Sequence, residues 1–329
     1  MADKRIYELD GLRGLAAISL LLYHYTSRFS EKFETNIITD IFNFKYGNYG
    51  VEVFFAISGF VIFMSIEKIR NPFEFIYKRF IRLYPTFWIC MLVTFFFLLF
   101  FGPQILKVNL KQLIINFSML PSLFNVQPVD GVYWTLKVEM AFYVLILFLL
   151  VVKQIQKVLL IGFIYILLGI IVFAILRLPM YYYYGTLFLT GINFYQIWKN
   201  GGKWGNHLQI FLCLMLSFFM ENRELMFVTL GVTSIFYLLV NEKLKFLSLA
   251  PFIFLGKISY ALYLLHQYIG YTIQLHMIQA GITNFLILLV VPIIISVTLA
   301  TLITFSVEKP LLVKLNNFYK LKFNKENNV

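Results

Sequence analysis

Apolar residues come in runs of close to twenty, broken by short polar or basic stretches, from Leu9 almost to the C-terminal tail. About 20 apolar residues in a helix cross the hydrocarbon core of a bilayer. Spans are therefore predicted at roughly 11–28, 49–66, 84–101, 133–152, 158–176, 181–198, 206–220, 226–241, 258–275 and 284–306. The pattern predicts an all-α, polytopic transmembrane helical bundle of about ten spans, the seventh being short. No convincing internal repeat or low-complexity segment interrupts it, and the short tail leaves no room for an appended soluble domain. A single membrane-embedded domain over residues 1–329 is expected.

Basic residues fix the expected orientation, because Lys and Arg collect on the cytoplasmic side. With the N-terminus inside, cytoplasmic segments and helix starts gather Lys4, Arg5, Arg13, Arg70, Lys78, Arg79, Arg82, Lys153, Lys157, Lys199, Lys243 and the lysines after Pro310, Lys325 included. A lysine-rich tail on the same side needs an even number of spans, so the short seventh segment is expected to cross. Both termini are then cytoplasmic.

Composition agrees. Of the residues 60% are hydrophobic and 13% charged, and mean hydropathy is +0.79, against about 45–50% apolar and about 25% charged in soluble proteins. The net charge of +12 follows from the positive-inside bias and calls for no nucleic-acid partner. No small-x-small cleavage pattern follows the first apolar run, so that run reads as a retained helix. Cys90 and Cys213 both lie in apolar segments, without the neighbours of a disulfide framework or a metal site; no metal is expected.

Against this background the ionisable residues inside spans stand out, since such groups face a bundle interior or a wet cavity and are functional candidates. Arg13 and His24 are 11 residues apart. At about 100° per residue that is three turns plus about 20°, one helix face, with about 16 Å between them along the axis. His24 either works in a cavity, hydrogen-bonds between helices, or reaches the outer interface beside Tyr25. In "FIYKRFIRLYPTFW", Arg79 and Arg82 share one side of a turn before a span beginning near Pro85. Two planar guanidinium groups there can grip phosphate, or they mark nothing more than a cytoplasmic helix end. Glu139, in "GVYWTLKVEMAFYVL", lies at about the depth of His24, where a carboxylate near a histidine can orient the ring and raise its basicity. Lys137 points to another face. In "GKISYALYLLHQY", Ser259, Tyr263 and His266 recur at helical spacings and Gln267 follows, a stripe that can line the same cavity. For Tyr263 and Gln267, hydrogen bonding between helices is the favoured expectation. His207 and His276 fall near span ends and read as interfacial.

Six elements then occur in order over about residues 8–314: "LDGLRGLAAISLLLYHY", "GVEVFFAISGFVIF", "KRFIRLYP", "WTLKVEMAFY", "LGKISYALYLLHQ" and "SVEKP". Together they resemble the acyltransferase-3 family of integral membrane acyltransferases. The resemblance implies a ten-span enzyme that uses cytoplasmic acetyl-CoA, or another acyl-CoA, to O-acylate glycans or lipids. The family's Arg-x10-His pair falls on Arg13 and His24, its R-x-x-R on Arg79 and Arg82, and its W-S/T-L-x-V-E carboxylate on Glu139. Relatives often place a second acidic residue after that glutamate; this chain has Met140 there.

The expectation is thus a membrane O-acyltransferase of the bacterial cytoplasmic (inner) membrane. Arg79, Arg82 and Arg13 would hold acyl-CoA. His24 would act as general base or transient acyl carrier, with Glu139 assisting. The acceptor would be a surface polysaccharide or its lipid-linked precursor, met near the long loop 102–132, with membrane lipids as the surroundings. A proton-coupled transporter or exporter is the alternative, since buried His and Glu serve that purpose too. An acyltransferase for a lipid or small molecule is another.

Overall fold

The computed structural model describes residues 6–176, 180–219 and 223–323. Lys4, Arg5 and Lys325, counted above as cytoplasmic, and Met220, at the end of the seventh predicted span, lie outside the described residues. Helix α1 (Tyr7–Tyr23) continues into a π-helical turn (His24–Arg28) and the short α2 (Phe29–Phe33). Then come α3 (Gly50–Ile66), α4 (Pro72–Phe101), α5 (Leu110–Asn116) and α6 (Trp134–Val151). Next are α7 (Val158–Leu176), α8 (Met180–Asn200), α9 (Trp204–Phe218) and α10 (Glu224–Val240). Last are α11 (Ala250–Gln279), α12 (Phe285–Ile303), a second π turn (Thr304–Glu308) and α13 (Lys309–Phe323).

No strand occurs among the described residues, and the predicted apolar segments are helical. Among the described residues four stretches are long and apolar enough to cross a membrane: Lys45–Ile66, Pro72–Phe101, Gly131–Val151 and Phe285–Lys322. The protein is therefore all-helical with membrane-spanning segments. Large apolar side chains such as Phe96, Leu99, Phe100, Ile294 and Leu302 stay exposed, the surface that lipid would cover.

Helix bounds extend beyond the predicted spans, most clearly at the starts of α4 and α11. Helix α4 starts at Pro72, ahead of the predicted span, and carries Arg79 and Arg82 in the helical arrangement expected of them. The cause is local. Pro72 suits a first helical position, where its missing N–H costs nothing. The Asn71 side chain accepts from the Glu74 N–H at 2.8 Å, and the Glu74 carboxylate accepts from the Arg70 N–H at 2.8 Å, a reciprocal cap. Hydropathy alone sees only the apolar part that follows.

The chain divides into two compact units, the first made of residues 1–16, 49–75 and 138–253 and the second of residues 17–48, 76–137 and 254–329. In the first unit α3 and α8 cross with their backbones touching. A Cβ on Gly59 would lie 2.0 Å from the Phe188 carbonyl oxygen, and one on Gly191 would lie 1.9 Å from that of Ala56. Only glycine permits such an approach, the usual device where packing rather than water exclusion joins membrane helices. An amide ladder ties α8 to α9: Asn193 Nδ2 donates to Gln209 Oε1 at 3.0 Å, and Asn206 Nδ2 to Asn193 Oδ1 at 2.9 Å.

In the second unit the segment 102–132 is held by two buried side chains. Asn116 Nδ2 donates to the Gln112 and Gln127 carbonyls at 2.8 and 3.2 Å, while its Oδ1 accepts from the Val129 N–H at 3.1 Å. Asp130, 0% exposed, accepts from the Val132 N–H at 3.1 Å and from the Tyr268 N–H of α11 at 2.9 Å. This carboxyl clasps the loop to the middle of α11. Burial pushes its pKa up to about 7, against the pull of those N–H donors and of Lys32.

Candidate active site

The site in the second unit starts from the first π turn. Such turns carry one extra residue and recur at functional sites. This one begins at His24 and buries Tyr25 completely. The Tyr25 hydroxyl donates to the His266 carbonyl at 2.7 Å and lies 2.7 Å from Ser296 Oγ, so the turn is anchored to both α11 and α12. Gln274 Nε2 donates to the Tyr25 carbonyl at 2.9 Å. Gly270 makes room for the ring: a Cβ there would lie 2.1 Å from Tyr25 Cε1.

Anchored in this way, His24 is 8% exposed and faces α11. Its Nδ1 lies 3.0 Å from the Tyr271 hydroxyl and 3.0 Å from Gln267 Nε2. The His266 ring stands beside it, 5.0 Å between centroids at an interplanar angle of 56°. His266 Nδ1 bonds the carbonyls of Leu262 and Tyr263 in its own helix at 3.1 and 2.9 Å. Its Nε2 is buried and has no hydrogen-bond partner among the described residues. Tyr263 does something different. Its hydroxyl lies 2.7 Å from the Val132 carbonyl and 2.7 Å from Thr135 Oγ1, fastening α11 to the start of α6. Ser259 Oγ donates to the Gly256 carbonyl of its own helix, at 2.9 Å. Of the predicted stripe, His266 and Gln267 thus meet His24, while Tyr263 makes the interhelical bond expected of it.

The arginine pair lies on α4 in the same unit. Arg82 forms an ion pair with Glu308, the last residue of the second π turn. Its guanidinium carbon also stands 5.6 Å over the Tyr260 ring. Glu308 is 3% exposed and the Arg82 side chain 41%, so the cation stays accessible while its counter-ion is sealed in. Arg79, one turn earlier, is partly buried.

Arg13 and Glu139 belong to the first unit. Arg13 pairs with Asp10 at 3.8 Å. Glu139 Oε1 accepts from the Tyr143 hydroxyl at 2.5 Å and from Ser58 Oγ at 3.3 Å, so α3 and its own helix hold the carboxylate in place.

Residues 6–305 match the sequence profile of the acyltransferase domain family. The chain belongs to the acyltransferase-3 family. Membership makes it an acyltransferase, and His24, Arg79, Arg82 and Glu139 all fall inside the matched region. The chain is similar to a putative acetyltransferase, ORF330, of Acidianus two-tailed virus, 26% identical over 288 residues, which are 80% of this chain and 82% of that protein. It is also similar to the peptidoglycan O-acetyltransferase OatA of Listeria monocytogenes serovar 1/2a, 31% identical over 114 residues, which are 33% of this chain and 16% of that protein. No solved structure matches the chain.

Within this acyltransferase, sequence reasoning missed three residues of the second unit. Tyr271 touches His24 but is one tyrosine among 21, and nothing in its spacing separates it from core aromatics. Asp130 carried a signal, an Asp-Gly step immediately before a predicted span. Glu308 sat in the "SVEKP" element, where a carboxylate at the end of an apolar run had no assigned partner. In the first unit Glu52 was missed too: it is buried on α3, and its Oε2 has no hydrogen-bond partner among the described residues.

Proposed function

We propose that this acyltransferase moves an acyl group, most simply acetyl, from acyl-CoA to a hydroxyl of a surface polysaccharide or of its lipid-linked precursor. The reading takes residues 1–329 as one functional membrane domain of about ten spans, both termini cytoplasmic, in a bacterial inner membrane. The observation that carries it is His24. It is a buried imidazole at a π turn, gripped at Nδ1 by Gln267 and Tyr271, in a family whose members transfer acyl groups. A histidine serving only to join helices needs neither the π turn nor two ligands on one nitrogen.

In this reading Arg79 and Arg82 bind the phosphates of the donor, where planar guanidinium groups suit phosphate oxygens. Arg13 assists from the start of α1. Glu139, oriented by Ser58 and Tyr143, supports the chemistry. The names of both relatives favour acetyl as the group moved, and that of the Listeria protein favours a cell-surface glycan as its destination. His24→Ala should leave protein in the membrane at normal levels and abolish acylation of the surface glycan, read by glycan analysis of a deletion strain complemented with either form. Near-normal acylation by a well-expressed His24→Ala protein would remove His24, and with it this reading of the site.

A further inference from the structure

His24 and His266 form a pair of imidazoles with opposite proton arrangements. A carbonyl oxygen only accepts, so the two bonds from His266 Nδ1 to the carbonyls of Leu262 and Tyr263 require the proton of the neutral ring to sit on Nδ1. Its Nε2 is therefore a bare lone pair. That atom is buried, unpartnered, and belongs to a side chain that is 1% exposed. An acceptor stripped of water and left without a donor destabilises the fold, and folded proteins keep few of them. In His24 the arrangement is reversed. An amide nitrogen only donates, so Gln267 Nε2 at 3.0 Å makes His24 Nδ1 an acceptor, and the neutral ring carries its proton on Nε2. Tyr271 donates to the same Nδ1. The ring centroids are 5.0 Å apart.

We propose that His266, through Nε2, is the proton acceptor of the transfer step. This rests on the reading of acyl-CoA as donor. The acceptor hydroxyl gives its proton to His266 Nε2 as its oxygen bonds to the thioester carbonyl carbon. The carbon–sulfur bond breaks, and the departing thiolate takes the proton back from His266, which returns to its starting form. His24, with its own proton on Nε2, is the N–H donor of the pair and stabilises the negative charge that gathers on the thioester oxygen. Of the roles open to His24, that of general base passes to its neighbour. The Tyr25 bond to the His266 carbonyl and the two carbonyls at His266 Nδ1 fix the base in one tautomer.

The test uses full-length protein in nanodiscs with acetyl-CoA alone, water serving as acceptor, and release of the CoA thiol as the readout. His266→Asn keeps an amide N–H that can still donate to the Leu262 and Tyr263 carbonyls but has no basic nitrogen. It should bind acetyl-CoA with unchanged affinity and release CoA about 100-fold more slowly or worse, the usual scale for losing a general base. A rate within a few-fold of wild type would overturn the proposal and leave His266 as a helix-bonding residue. If wild-type protein neither binds nor cleaves acetyl-CoA, it is the donor reading that fails, and this step fails with it. Should His266→Asn not fold, imidazole 15N spectra of the wild-type protein decide: the proposal requires an unprotonated Nε2 on His266 at neutral pH, and a proton there overturns it.

Discussion

Arg82 on α4 is ion-paired with Glu308 at the end of the second π turn, so a residue expected to bind donor phosphate already has a sealed-in counter-ion. Removing Arg82 therefore does two things at once. Arg82→Ala strands a buried carboxylate, a cost of about 3–5 kcal/mol, and should lower the melting temperature in detergent. Adding Glu308→Gln should recover that stability without restoring acyl-CoA affinity. If the double variant regains affinity, Arg82 serves the fold and not the donor.

Arg79, one turn before Arg82 on α4, gives a second measurement of donor binding. Losing a charged contact to phosphate costs about 1.5–3 kcal/mol, so Arg79→Ala should weaken acyl-CoA binding roughly tenfold or more. Arg79→Lys should recover only part, since an ammonium cannot bind in two-pronged fashion. Affinity titration in nanodiscs is the check, and identical values for wild type and Arg79→Ala would return Arg79 to a topological role.

Asp130 gives the fold a pH dependence of known sign. Burial raises its folded-state pKa to about 7, above the ordinary carboxylate value of about 3.9. Between about pH 4 and pH 7 the folded protein holds a proton that the unfolded chain has released. Its contribution to stability therefore falls as pH rises through that window and is constant above it. Melting temperatures of wild-type protein should decline across the window, and those of Asp130→Asn should decline less. Parallel curves would mean that the Asp130 carboxyl is ionised throughout.

Glu139 is held by Ser58 and Tyr143 within the first unit, and its proposed partnership with His24 is best tested by coupling. Glu139→Gln should cut the transfer rate strongly while preserving acyl-CoA binding. If the two act as a unit, the double variant with His24→Ala should be little slower than His24→Ala alone. Losses that multiply would assign Glu139 to acceptor binding or to structure.

The helical character, the membrane-spanning segments and the family were legible because apolar run length and motif order are local properties of a chain. His24, His266 and Gln267 were legible for the same reason: each is a polar residue where its neighbours are apolar. Pairings were not. Nothing in the chain says that Arg82 meets Glu308 across 226 residues, or that Asp130 reaches the backbone of α11. Nor does periodicity announce a π turn, since one extra residue in a single turn leaves the apolar run intact. The start of α4 lies ahead of the predicted span because Glu74, Lys78, Arg79 and Arg82 interrupt the apolar run of its first turns, and capping chemistry rather than hydropathy defines where they begin.

The contact of Gly59 with the Phe188 carbonyl and of Gly191 with the Ala56 carbonyl has a mechanical consequence. Two helices whose backbones touch at two points cannot slide past each other without driving a carbonyl into the next side chain along. Nor can lipid enter between them. Helices α3 and α8 must therefore travel as one rigid strut in any working cycle of the enzyme. Whatever opening admits a substrate has to be supplied by elements that pack through side chains, whose rotamers can give way.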